Sequence, residues 1–166
     1  MKFESFQRLV AMMFEADDAG HLIERHGELT DYDIRQMNSL VLAYVGDAYF
    51  HLFVRTRLLS FDQSNVRALH AFSAQIVSAV WQHKAYLAIE PMLTEDEKAI
   101  YRRARNAKSH APRSATVAEY HSSTGFEALL GSLYLRHETA RLEELAEASF
   151  QAIAQAIMKD IHEKET

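Results

Sequence analysis

SLVLAYVGDAYFHLFV, residues 39–54, is apolar almost all the way round a helix. A helix with no polar face must lie at the centre of a bundle. Asp47 interrupts it, with Gly46 alongside. A buried carboxylate needs a partner or a purpose, and a glycine inside a helix costs about 1 kcal/mol against alanine. The stretch is short of the ~20 apolar residues that cross a bilayer, so no membrane partner is expected; the absence of Cys fits a reducing cytosol, and a cytoplasmic location is the expectation.

The sequence on either side is also helical in pattern. It has only 5 Gly and 2 Pro in 166 residues, too few for a turn-rich β fold, and the expected class is all-α. Phe3, Phe6, Leu9, Val10, Met13 and Phe14 recur at helical spacing, predicting a first helix to about Arg25, ending near Gly27. Its apolar face is expected to be buried against the rest of the chain, since an exposed patch of that size invites association. Thr30 with Asp33 reads as a capping box opening a long helix over 31–59. Ser64 or Asn65 is expected to cap a third helix running through Trp81, with a further piece to Pro91. Thr94 with Glu97 starts another to about Ala107, residues 108–118 read as a loop, Ser123 caps the next, and 139–162 form the last. The expected division is an N-terminal helical extension, 1–30, and one helical domain, 31–166.

A hydrophobic content of 48% suits a single core at this length. Absence of Cys excludes disulfides and thiolate zinc sites. Nine His are scattered with no Glu-x-x-His pair, which removes a di-iron bundle. Net charge is −5, yet residues 34–135 carry +3, and Arg102 to Arg113 hold five bases and no acid. Such a stretch can meet phosphate whatever the global sign.

Glu127 is a second acid in an apolar setting, between Phe126 and Leu129, with Gly131 one turn on. Two readings stand. Asp47 can pair with His51 one turn away, and Glu127 can sit in a first helical turn where the dipole favours it. Alternatively the two carboxylates form a metal site, and hard oxygen ligands favour Mg²⁺, with Mn²⁺ as a substitute.

LVLAYVGDAYF resembles the Gly-Asp motif of the ribonuclease III family, and STGFEALLGSLYL resembles its second motif. RRARNAKS, followed by a Pro and a Tyr, resembles the loop particular to the Mini subfamily. The resemblance covers about 36–150 and makes 31–166 a ribonuclease III catalytic domain. It implies that Asp47 and Glu127 are the catalytic, metal-binding carboxylates. Two further acids of the full-length enzymes are replaced here by Ala43 and Thr124, and His51 stands where the subfamily is expected to have Glu.

The resemblance further implies a homodimer with the Gly-Asp helices near its two-fold axis, cutting double-stranded RNA to leave 5′ phosphates and short 3′ overhangs. The expected substrate is precursor large-subunit (23S) ribosomal RNA, aided by a large-subunit ribosomal protein. Arg102, Arg103, Arg105, Asn106, Lys108 and Arg113 are candidates for RNA contact. Duplex RNA is met through shape, phosphate and 2′-hydroxyls, and an ordinary solvated face is the plainer alternative for these bases. Two rivals remain: a non-catalytic RNA- or ribosome-binding protein of the same fold, and a helical dimeric adaptor.

Overall fold

The apolar stretch forms α3 (Ser39–Leu58) in a computed structural model that describes residues 3–24, 27, 29–60, 63, 65–107 and 116–164. Chain contacts divide the protein into Met1–Thr30 and Asp31–Thr166.

In the first unit, α1 (Phe3–Met13) ends well before Arg25, and no residue of it is buried. The chain turns back as a hairpin, β1 (Phe14–Ala16) antiparallel to β2 (Leu22–Glu24). The expectation of helix to about Arg25 is corrected by the turn chemistry of Asp17–Gly20. Asp17 Oδ1 accepts from the backbone N–H of Ala19 and of His21, and Gly20 takes φ 82°. A side chain that bonds its own backbone in this way competes with helix propagation.

In the second unit the helices are α2 (Asp31–Gln36), α3, α4 (Val66–Ile76), α5 (Ala79–Ile89), α6 (Glu95–Arg105), α7 (Val117–Leu135) and α8 (Thr139–Lys164). A single 3₁₀ turn, Glu90–Met92, joins α5 to α6. The expected helix over 31–59 is broken at Met37–Asn38. Asn38 leaves helical geometry (ψ 129°) and its side chain accepts from Leu40 N–H, capping α3. The expected run through Trp81 is likewise two helices. Asn65 caps α4 by accepting from Ala68 N–H, and Ser78 turns extended between α4 and α5. Ser64 lies outside the described residues.

The box of Thr94 and Glu97 opens α6 as expected. A second box, Thr116 with Glu119, opens α7 two turns before Ser123. Ser123 donates to the Tyr120 carbonyl inside the helix instead of capping it. Glu127 is thus mid-helix, and not in the expected first turn, where the dipole would favour a carboxylate. The expected loop over 108–118 is shortened from its end, because Val117 is already helical; residues 108–115 lie outside the described residues.

α3 and α7 form the most extensive helix pair, flanked by α5, α6 and α8. Phe50 of α3 meets Phe126 of α7 edge to face, centroids 5.1 Å apart, both fully buried. Each such ring contributes about 1.5–3 kcal/mol by leaving water. Arg141 of α8 donates to Glu97 (2.8 Å) and to the Met92 carbonyl (2.6 Å), tying α8 to the start of α6.

Candidate active site

The α3–α7 crossing is made by two glycines. A Cβ on Gly46 would overlap the backbone carbonyl of Glu127, and one on Gly131 would overlap the carbonyl of Leu42. Only side-chain-free residues let the two backbones approach this closely. Asp47 follows one glycine and Glu127 lies one turn from the other, so the approach carries both acids to one place.

They line a single open cavity of about 540 Å³. α3 contributes Ala43 and Asp47, α5 contributes Ser78 and Ala79 at its start, and α7 contributes Ser123, Thr124 and Glu127. Ala43 precedes Asp47 by four residues and Thr124 precedes Glu127 by three, which puts them on the same helix faces. The two positions at which the fuller motif carries acids therefore also face the cavity, here without charge.

Asp47 is half-exposed, and its Oδ1 lies 3.2 Å from His51 Nε2. The expected pairing of these two is present alongside the shared cavity. Glu127 is partly buried. Burial, and then the negative charge of Asp47, push its carboxyl up to about 8, while the side chain of Gln82 pulls the other way. Among the described residues no group of three or more His, Cys, Asp or Glu surrounds a common point. Two carboxylates and neutral hydroxyl neighbours are therefore the donor set.

Sequence reasoning missed Ser78, Tyr120 and Gln82. The first two line the cavity, and Gln82 is buried on α5. Nothing in the sequence flags it: Gln82 opens a polar run with His83 and Lys84, and only packing shows that it alone of the three is fully buried.

The basic residues of α6 part to two sides. Arg102 and Arg105 line a concavity with His83, Tyr101 and Ser122. Arg103 lines a different one with Arg35 and Arg136, and donates to the Arg35 carbonyl at 2.5 Å. Asn106 caps α6 and, with Arg105, borders a third hollow beside His121. Lys108 and Arg113 lie outside the described residues.

Residues 40–138 match the ribonuclease III domain. The chain belongs to the ribonuclease III family. It is 46% identical over 117 residues to a Mini-ribonuclease 3 of Enterococcus faecalis, covering 68% of this chain and 88% of that one. It is 48% identical over 111 residues to the Mini-ribonuclease 3 of Symbiobacterium thermophilum, covering 66% and 85%. A crystal structure of a Fusobacterium nucleatum protein superposes with a TM-score of 0.65 at 34% identity, over 72% of this chain and 96% of that one. The all-α expectation for the 31–166 unit holds, and this ribonuclease III family member is an endoribonuclease of the Mini type. No helix among the described residues is long and apolar enough to cross a membrane.

Proposed function

We propose that this chain hydrolyses double-stranded RNA at the α3–α7 cavity, with Asp47 and Glu127 holding Mg²⁺. The observation that carries this reading is that one cavity takes both acids, from helices far apart in sequence. The donor set fits a dication. Burial and the Asp47 charge keep the Glu127 carboxyl protonated near neutral pH, and a bound positive charge would oppose both effects. When bound, the ion supplies a Lewis acid and an activated water for an in-line attack on phosphorus. Asp47, on the more open side, and Glu127, on the more buried one, would hold it. Ser123 and Thr124 both spend their protons on the Tyr120 carbonyl, so toward the cavity their oxygens can only accept.

Arg102, Arg105 and Asn106 are suited to hold the RNA backbone, with Lys108 and Arg113 continuing the same basic run. Arg103 serves this role less directly, since its guanidinium is engaged with Arg35. A homodimer is supported by α3, whose outward residues Val41, Tyr44 and Leu52 are 48%, 78% and 64% exposed. Tyr44 also lines the cavity, so a partner on that stripe would border the site. Maturation of 23S ribosomal RNA in the cytoplasm, helped by a large-subunit ribosomal protein, completes the reading.

The experiment is incubation of the purified chain with long duplex RNA, with and without Mg²⁺, and with Mn²⁺ in its place. Short duplexes with 5′ phosphates and 3′ overhangs are expected only with metal. Binding without cleavage would favour the non-catalytic rival, and neither binding nor cleavage would favour the adaptor.

A further inference from the structure

Gln82 lies one turn beyond Ser78, just before α5, and Ala79, its first residue, both of which line the cavity with Glu127. It is 1% exposed, and neither Nε2 nor Oε1 has a hydrogen-bond partner. An unpaired buried amide is costly, and an apolar side chain of the same volume would avoid that cost. The neighbouring residue holds α5 to α7 firmly, with His83 Nδ1 and Ser122 Oγ 2.7 Å apart. Gln82 is also close enough to Glu127 to favour its charged form, although no aligned hydrogen bond joins them. The terminal torsion of glutamine is broad, so a modest rotation completes the bond.

We propose that Gln82 is a positioning residue for Glu127: its Nε2–H donates to one carboxylate oxygen and leaves the other facing the cavity for a divalent cation. The inference rests on the reading of Asp47 and Glu127 as a cation site. Partners of this kind fix the orientation of a ligand, and losing one typically costs about 10- to 100-fold in metal affinity.

The test uses the full chain and Mn²⁺ alone, without RNA, with free ion followed by electron paramagnetic resonance. Gln82→Leu and Gln82→Met both remove the amide, and Met keeps the shape of the side chain. Both should bind Mn²⁺ about 10- to 100-fold more weakly while melting no lower than wild type. In the native chain the Gln82 side-chain amide proton should move downfield on adding Mg²⁺. Unchanged Mn²⁺ affinity in well-folded Gln82→Met overturns the proposal, as does a loss of affinity that only tracks a lowered melting temperature. Glu127→Gln separates the two ideas: if it binds Mn²⁺ as well as wild type does, the cation-site reading itself has failed.

Discussion

Gly46 of α3 and Gly131 of α7 face each other across the helix crossing, each at a point where a Cβ would run into the other helix's backbone. The two carboxylates meet because of this contact. Gly46→Ala gains about 1 kcal/mol of helix propensity, but the new methyl meets a backbone carbonyl that cannot rotate away. Overpacking costs about 1–3 kcal/mol and occasionally more. Both Gly46→Ala and Gly131→Ala should lower the urea midpoint. Cleavage measured on the folded fraction should fall further still, because separating the helices parts Asp47 from Glu127. Wild-type stability in both variants would show that the crossing yields easily.

Asp47→Asn and Glu127→Gln should each fold and lose nearly all cleavage, and the double variant should be little worse than either alone. Groups that act as a unit give non-additive losses. Rates from single-turnover assays check this, and strictly multiplicative losses would count against a shared site.

Stability should depend on pH through Glu127. Its carboxyl is raised from 4.5 to about 8 in the folded chain. Between those values the folded state holds a proton that the unfolded state has released, so this group's contribution falls as pH rises through the window. Glu127→Gln cannot lose a proton. Its melting temperature should exceed that of wild type by a margin that widens from pH 5 to pH 9. A constant margin would mean that Glu127 titrates normally. Millimolar Mg²⁺ should narrow the gap at pH 9, because it stabilises only the ionised carboxylate.

Arg102→Ala with Arg105→Ala should weaken duplex binding and flatten its salt dependence, as fewer counterions are released. Arg103→Ala should flatten it less, because its guanidinium already donates to the Arg35 carbonyl. Circular dichroism should be unchanged in both. Salt slopes from filter binding decide the matter, and equal slopes across all variants would make this an ordinary solvated helix face.

Local chemistry determined much of this protein. The apolar run at 39–54 marked a helix, the Thr94–Glu97 pair marked the start of α6, and Asp47 and Glu127 stood out as acids in apolar surroundings; the burial expected all round that helix is corrected, since α3 buries one stripe and leaves Val41, Tyr44 and Leu52 exposed. Each of these signals lies within a single helix, where propensity, capping and periodicity act. The helix breaks at Asn38 and Ser78 and the turn at Asp17–Gly20 also had local causes, but their capping and turn bonds compete with an uninterrupted apolar pattern that reads as longer helices. What only the tertiary structure decided is non-local. Residues 47 and 127 share a cavity because Gly46 and Gly131 let two backbones touch. Arg103 parts from Arg102 and Arg105 because α2 supplies a carbonyl on one side of α6. Gln82 is left without a partner because the packing of α5 sets its surroundings. Sequence spacing carries no information about which faces meet across 80 residues; close packing of complementary helix surfaces does.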